Sequence, residues 1–491
     1  MPDLVQLSRR RFLAAAGGVS LPLLGAGASD VRAAAGPAVI DIGSRRELFL
    51  DDFLIERLAG VALRLQEPVP SEVVLACDAP WEGRHCGYFT LFPDGGRFRL
   101  YYRGWDYTEK RDPVTCCAES DDGIHWTRPD YGLFDFAGST ANNIVMEGPN
   151  ELATHNLTPF KDSNPAVDAA ARYKAFGRNK QPSGSTLDAF RSPDGLRWER
   201  IGDEPVTGKG AYDSQNVAFW DGERGEYRAY WRPRGKGVRG RSIATSVSPD
   251  FLHWRPAELL EYEKHVALEH MYTCTVQAYA RAPHLFIGFP TRFELDAAVA
   301  GKTSNPANAG HTEPIFMSSR DGLRFRRWAE PVIPRTAPQD RGGNRSNYMA
   351  LGILQLPGRE RELSAYASEA GYDFGPTRLR RFSYRLDGFV AARSDAQGEL
   401  LTRPLRFTGR SLELNARTRA GGSIRVELCD EAGRPLPGFA AADAEPLVGD
   451  EIAWRPAWRG GPDLAAHAGR PVRLRFLLAD ADLFSLRFDP A

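Results

Sequence analysis

Short runs in which apolar and polar residues alternate recur along the first four-fifths of the chain, and several are rich in aromatic residues. Such alternation is typical of half-buried β-strands. The clearest runs are Phe98–Arg103, Tyr173–Arg178, Tyr227–Arg232, His284–Arg292 and Glu362–Glu369. Each is preceded by another apolar run, so we expect them to be the second strands of a repeated all-β unit.

A phrase of the form Ser-x-Asp-(Gly)-x-x-aromatic follows these units. It occurs at Ser120–Trp126, Ser192–Trp198, Ser248–Trp254 and Ser319–Phe325, with a degenerate fifth version at Ser383–Phe389. Asp-Gly, or Asp-Phe in the third copy, suits the left-handed residue of a tight turn, so the phrase predicts a turn from a third strand into a fourth strand that carries the aromatic. Its long spacing suits four-stranded propeller blades with loops. The sequence therefore predicts a five-bladed β-propeller over residues 36–389, with a segment at 36–75 that supplies a strand to close the ring.

The pattern changes after about Val390. Leu405–Leu414, Ser423–Cys429, Glu451–Trp458 and Val472–Leu478 read as strands separated by Gly-rich turns. We expect residues 390–491 to form a β-sandwich accessory domain that braces the propeller.

The N-terminus and the composition narrow the classes of function. Ser8–Leu13, with three consecutive arginines, opens an Ala- and Gly-rich stretch, so residues 1–35 are predicted to be a twin-arginine signal peptide that directs the protein to the periplasm or beyond. That stretch is too short for a membrane span. Lys+Arg and Asp+Glu both number 63, so net charge gives no case for a nucleic acid or a membrane surface as partner.

Known motifs and cysteines exclude further classes. There is no P-loop, HExxH, paired CxxC or Rossmann glycine fingerprint, which removes the common nucleotide, zincin and zinc-ribbon interpretations. Six cysteines are present, and buried free thiols are favoured over disulfides in a core of this size. Cys77 and Cys86 are the pair to test first.

Polar residues concentrate where the first strand of each unit begins. In a propeller these positions and the loops between second and third strands meet on one face, so we expect one pocket on the axis. The alternative for any single residue is an ordinary solvated loop position. The candidates are Glu82, His85, His155, Asn156, Asp213, Gln215, Glu269, Tyr272 and Arg345.

Four arginines occupy equivalent positions at the ends of the second strands: Arg103, Arg178, Arg232 and Arg292. A basic collar of this kind would suit an anionic substituent such as a carboxylate or sulfate. Equally, the arginines could pair with the pocket's own carboxylates and hold it together.

Five propeller units with these turns, an axial acidic pocket and a trailing β-sandwich resemble the five-bladed glycoside hydrolases of families 32, 43 and 130. The resemblance implies a secreted enzyme that hydrolyses O-glycosyl bonds of a poly- or oligosaccharide with paired carboxylates and no redox cofactor. On this hypothesis Asp213 and Glu269 are the principal carboxylates and Glu82 the third. The other pocket residues and the four arginines then contact the substrate.

The sequence departs from those families and leaves two alternatives open. It does not reproduce the family-32 patterns Trp-x-Asn-Asp-Pro, Arg-Asp-Pro and Glu-Cys in place. The second unit offers His155 and Asn156 where a carboxylate is expected. A non-catalytic glycan-binding propeller is therefore the alternative function. A structural Ca²⁺ on the axis near His155 is compatible with either function, and no catalytic metal is expected.

Overall fold

The protein is described here by a computed structural model that covers residues 39–489 except 107, 110, 149–151, 182–183, 235–237, 239, 265, 268, 296–309, 335–346 and 372–374. The predicted signal peptide and Arg345 lie outside the described residues. Within them the chain is all-β, as predicted, with two single 3-10 turns at Ala169–Ala171 and Ala465–His467. No helix of the described part is long and apolar enough to cross a membrane.

The sheets adopt a propeller-like arrangement, and four of those in the described part are antiparallel and four-stranded. The first contains β6 (Gly87–Asp94), β7 (Arg97–Gly104), β8 (Val114–Ser120) and β9 (Ile144–Met146). The second contains β10 (Thr158–Lys161), β11 (Tyr173–Gln181), β12 (Gly184–Ser192) and β13 (Glu199–Arg200). The third contains β14 (Val217–Asp221), β15 (Glu226–Trp231), β16 (Ala244–Ser248) and β17 (Glu258–Leu259).

The fourth sheet along the chain is larger, with seven strands. Its strands are β18 (Glu261–Tyr262), β19 (His270–Met271), β20 (Val276–Tyr279), β21 (Ala282–Gly288), β22 (Thr291–Leu295), β23 (Gly310–Ser319) and β24 (Arg324–Pro331). The fifth has four strands, β25 (Tyr348–Met349), β26 (Glu362–Gly371), β27 (Gly375–Arg385) and, paired with β27, the N-terminal β5 (Val69–Ala76). The N-terminal segment thus supplies a strand to the last propeller sheet, as predicted.

The Ser-x-Asp-Gly phrases are turns that follow the third strands. Gly123, Gly195, Phe251 and Gly322 all have a φ between 73° and 80°, as the left-handed position requires. Two details of the prediction are wrong. In the fifth copy the left-handed residue is Asp387 (φ 58°) rather than Gly388. The tryptophans of the first three copies precede the fourth strands, and only Phe325 lies within one, β24.

Each turn also contacts the sheet before it. The hydroxyl of Tyr101 in the first sheet donates to the carbonyl of Gly195 in the second at 2.9 Å. Tyr230 of the third sheet donates to Gly322 of the fourth at 3.0 Å, and Tyr366 of the fifth sheet reaches Gly123 of the first at 2.7 Å. Where the third copy has Phe251 in place of glycine, its ring stacks on Phe176 with centroids 5.0 Å apart. The turns therefore join neighbouring sheets.

The chain after Val390 builds a second body together with residues near the N-terminus. A seven-stranded sheet contains β2 (Glu47–Leu48), β3 (Ile55–Ala59), β4 (Ala62–Leu65), β28 (Val390–Thr402), β30 (Ser411–Cys429), β31 (Asp450–Trp454) and β32 (Arg473–Asp489). In addition β1 (Ile40–Gly43) pairs in parallel with β29 (Leu405–Phe407). Strands β1–β4, which the sequence grouped with the propeller, therefore pair with strands beyond Val390.

All six cysteines are free and buried, in line with the expectation of buried thiols. Burial, together with the neighbouring Cys86 thiol, raises the pKa of Cys77 well above its ordinary value. At neutral pH Cys77 is therefore a protonated core residue.

Candidate functional site

Asp213 lies at the centre of a polar cluster to which three sheets contribute. Its Oδ1 is 2.7 Å from His155 Nε2 and 3.3 Å from the Tyr88 hydroxyl. Arg178 Nη1 and Arg232 Nη2 each approach its carboxylate to 3.9 Å. The Asp213 side chain is nevertheless 51% exposed. The carboxylate is thus surrounded by positive and polar groups and still open to a ligand.

The backbone around Asp213 is fixed by two buried amides. Asn156 Nδ2 donates to the carbonyls of Tyr212 and Ser214, both at 2.5 Å. Asn216 Nδ2 donates to the same two carbonyls at 3.0 and 2.9 Å. The carbonyls of both residues next to Asp213 are therefore each held by two amides, which preorganises the backbone that carries the carboxylate.

The same loop is tied to two further sheets. Gln215 Nε2 donates to the carbonyl of Phe89 and to the Thr90 hydroxyl at 3.0 and 2.9 Å. Ser214 Oγ donates to the Tyr272 carbonyl at 2.5 Å. Gln215 and Asn156, both 1% exposed, thus position the site from within the protein. The sequence analysis predicted direct substrate contacts for both, whereas the structure buries their side chains.

Tyr88 reaches the axis through a local distortion of β6. Strand pairing shifts register between Gly87 and Thr90, and Tyr88 has a φ of 56°. Bulges of this kind re-aim side chains, and left-handed backbone in a non-glycine residue carries strain. The Tyr88 hydroxyl lies 3.5 Å from that of Tyr272, so a second hydroxyl stands next to the one that contacts Asp213.

His155 connects Asp213 to Arg103. Arg103 Nη1 lies 3.2 Å from the same His155 Nε2 that faces Asp213. This nitrogen can donate to Asp213 or accept from Arg103, but it cannot do both. The Arg103 guanidinium also lies 4.8 Å from the ring centroids of Tyr88 and Trp105 and donates to the carbonyl of His85 at 3.0 Å.

Two pKa values fix charges in the site. Partial desolvation by the surrounding protein raises the pKa of Asp213, but the hydrogen bond and charge of His155, with Arg232 and Arg178, outweigh it and hold this pKa well below its ordinary value. Burial, aided by Arg103 and Arg84, lowers the pKa of His85 to about 4 even though Asp106 opposes it. At neutral pH Asp213 is ionised and His85 is neutral.

One arginine of the site was not predicted. The Arg241 guanidinium lies 5.4 Å from the ring centroid of Tyr272 and 4.2 Å from that of Phe293. Arg232 lies 5.2 Å from the same Tyr272 ring. Arg241 precedes β16 outside the predicted strands, and no repeat marks it, which is why sequence patterns did not select it.

Glu82 is placed differently from its predicted catalytic role. Its side chain is fully buried and accepts hydrogen bonds from the Ala79 amide (2.9 Å) and the Tyr102 hydroxyl (2.5 Å). Arg128 adds a bidentate contact, with Nε and Nη2 at 2.7 and 3.0 Å. Every carboxylate lone-pair direction is used by the protein, so Glu82 is a structural residue.

Glu269 and Arg292 form a separate ion-pair chain. Arg292 contacts Glu269 at 3.1 Å and Glu313 at 2.9 Å, while Arg327 contacts the other Glu269 oxygen at 3.0 Å. The Glu269 side chain is 24% exposed and borders a cleft of ≈ 1240 Å³ between the fourth sheet and the sheet that contains β28. Of the four predicted collar arginines, Arg103, Arg178 and Arg232 converge near Asp213 and Arg292 pairs elsewhere.

The described residues contain no group of three or more His, Cys, Asp or Glu side chains arranged to hold a metal ion. The Ca²⁺ near His155 stays a prediction.

Solved structures resemble the fold at low identity. A family-43 glycoside hydrolase described as thermostable has a TM-score of 0.41 and 12% identity over 67% of this chain and 95% of its own. An N-acetylgalactosamine deacetylase from F. plautii has a TM-score of 0.44 and 12% identity over 67% and 96%. The GH32 β-fructofuranosidase BmSUC1 of Bombyx mori has a TM-score of 0.39 and 11% identity over 87% and 95%. No protein-family model and no curated protein matches the chain.

Proposed function

We propose that the protein is a glycan-active hydrolase whose reaction takes place around Asp213. The observation that carries the proposal is a half-exposed, ionised carboxylate at the convergence of three sheets, with the carbonyls of its two neighbouring residues held by Asn156 and Asn216. An ionised carboxylate stabilises the oxocarbenium-like transition state of glycoside hydrolysis or orients the attacking water. Since its pKa is low, Asp213 is not the proton donor.

The described residues bring one open carboxylate to this point, not the predicted pair. Some glycosidases use a tyrosine where others use a second carboxylate. The Tyr88 hydroxyl lies near Asp213 and near the Tyr272 hydroxyl. In the proposal these two tyrosines take the role of the second catalytic group. The fixed Glu82 and the arginine-bridged Glu269 favour the alternative function, a glycan-binding propeller without catalysis.

We further propose that the seven-stranded fourth sheet is also a propeller blade, which brings the number of blades to five. The body after Val390 is, in the same proposal, a sandwich-like accessory domain. Contacts on both sides of the fourth sheet support the blade count. Tyr230 reaches it from the third sheet, and its own Phe289 packs on Phe389 of the fifth-sheet turn with centroids 6.0 Å apart. Export through the twin-arginine route, which rests on residues 8–13, belongs to the same proposal.

A polysaccharide panel tests the function. Release of reducing ends would be measured for the wild type, Asp213→Asn and the control Asp203→Asn, which changes an exposed carboxylate outside the cluster. We expect Asp213→Asn to reduce turnover by about 10²-fold or more, as for loss of a catalytic carboxylate, and the control to retain activity. Turnover that survives in Asp213→Asn would refute the assignment, and glycan binding without any turnover would establish the alternative.

A further inference from the structure

Positive charge exceeds negative charge around the axial site. One half-exposed carboxylate, that of Asp213, faces several guanidinium groups. These belong to Arg103, Arg178, Arg232 and Arg241. Three of them share Asp213 directly or through His155, so its single negative charge is divided among them.

Arg241 has no carboxylate within ion-pair distance among the described residues. Its guanidinium packs on the rings of Tyr272 and Phe293. Burial, reinforced by the charge of Arg232, lowers the pKa of Arg241, while Asp213 and the two tyrosines Tyr272 and Tyr348 oppose this only in part. A half-buried guanidinium without a counter-ion is costly unless a ligand supplies one.

The position of Arg241 also suits ligand binding. Arg232 and Arg241 both lie over the ring of Tyr272, whose hydroxyl stands beside that of Tyr88 at the Asp213 cluster. Arg232 is held by a hydrogen bond from its Nε to the carbonyl of Ala211 at 2.5 Å. Two guanidinium groups thus lie within cation–π distance of one tyrosine ring at the Asp213 cluster.

We propose that the axial site takes an acidic glycan, whose carboxylate or sulfate group is bound by Arg241 together with Arg232. A guanidinium presents paired N–H donors that match either oxyanion. The ligand's negative charge would supply the counter-ion that Arg241 lacks, while Asp213 keeps Arg178 and His155. This proposal rests on the proposed function only in placing a glycan at the axial site.

Binding to paired glycans tests the proposal on the purified full chain. The probes are uronate oligosaccharides with their methyl esters, and sulfated oligosaccharides with their desulfated forms, presented together on an array. We expect the acidic member of at least one pair to bind about tenfold or more tightly, since hydrogen bonds to charged groups contribute at this level. The two kinds of pair distinguish a carboxylate from a sulfate. Equal binding within all pairs, or no binding of any acidic glycan, would overturn the proposal.

Variants assign the preference to Arg241. Arg241→Gln should lose about tenfold in affinity for the acidic glycan and leave its neutral partner unchanged, and Arg241→Lys should recover part of the loss. Arg234→Gln, which removes an exposed arginine nearby, is the control. A preference that persists in Arg241→Gln refutes the assignment.

The two proposals fail in different ways. If the protein prefers acidic glycans through Arg241 but hydrolyses none, the proposed hydrolase function is refuted and the proposed acidic ligand is supported. If the protein hydrolyses a neutral glycan, and this activity is unchanged in Arg241→Gln but lost in Asp213→Asn, the hydrolase function is supported and the acidic ligand is refuted.

Discussion

Glu82 and Arg128 allow a direct test of whether a predicted catalytic carboxylate is structural. Glu82 is fully buried and accepts four hydrogen bonds, two of them from Arg128. In Glu82→Gln the amide keeps one acceptor oxygen and turns an NH2 group toward the donors of Arg128. Removing one member of a buried ion pair costs about 3–5 kcal/mol, so we expect a loss of that size in the free energy of unfolding.

A double-mutant cycle makes the test specific. Arg128→Gln alone should cost a similar amount, because it leaves the Glu82 carboxylate buried without its main partner. The double variant should then be more stable than the sum of the single losses predicts, with a coupling energy of about 1–3 kcal/mol. Urea unfolding followed by tryptophan fluorescence measures each midpoint, and turnover per folded molecule is measured in parallel.

The catalytic hypothesis for Glu82 makes the opposite forecast. If Glu82→Gln unfolds at the wild-type midpoint and yet loses turnover, Glu82 acts on substrate and the structural interpretation is refuted. If stability falls and the folded protein still turns over, the reacting carboxylate lies elsewhere, as Asp213 does in the proposed function.

Two further predictions concern the contacts between sheets. Gly195→Ala should lower the thermal midpoint more than Gly202→Ala. Both glycines have a similar positive φ (76° and 71°), but a Cβ at 195 would lie 2.6 Å from the Tyr101 hydroxyl, whereas a Cβ at 202 would meet no atom within 4 Å. Equal losses would show that backbone strain alone acts at both positions. Burial raises the pKa of Glu47, but the hydrogen bonds and charges of His284 and Arg320 lower it by more, so that it falls from 4.5 to about 2. The ionised Glu47 therefore stabilises the fold above about pH 4.5 by about 3 kcal/mol. This advantage of wild type over Glu47→Gln should vanish as pH falls toward about 2, and a difference independent of pH would contradict it.

The repeated turns made the sheets predictable because each turn solves the same local problem. In the first four copies a left-handed residue follows Asp where the third strand reverses, so Asp-Gly marks the reversal in the sequence. The third turn is an exception to the Asp-Gly pattern, because Phe251 occupies the position of the glycine. The residue it contacts in the preceding sheet is also changed, since Phe176 occupies the position of a tyrosine. A hydrogen bond between sheets is there exchanged for ring stacking, and the two substitutions compensate each other across 75 positions of chain.

The site was predictable as a location and less so as a set of roles. Asp213, His155 and Tyr272 each lie just before one strand of their unit (β14, β10 and β20), as expected. Propeller topology brings those strand starts together. Roles depend on partners that periodicity does not reveal. Arg128, which fixes Glu82, lies in a loop beyond the first turn, and the bulge that turns Tyr88 inward leaves no mark in composition.

The contrast among the three predicted carboxylates is therefore one of unused acceptor capacity. Glu82 has its oxygens fully occupied by protein donors at full burial, and Glu269 is bridged by two arginines at hydrogen-bond distance. Asp213 has its arginines at 3.9 Å, too far for full hydrogen bonds, and half of its side chain is exposed. A ligand that enters can take over the Arg232 guanidinium without displacing a short ion pair. The long contacts at Asp213 thus leave both the carboxylate and Arg232 available to a ligand, which is what the proposed binding of an acidic glycan beside an ionised carboxylate requires.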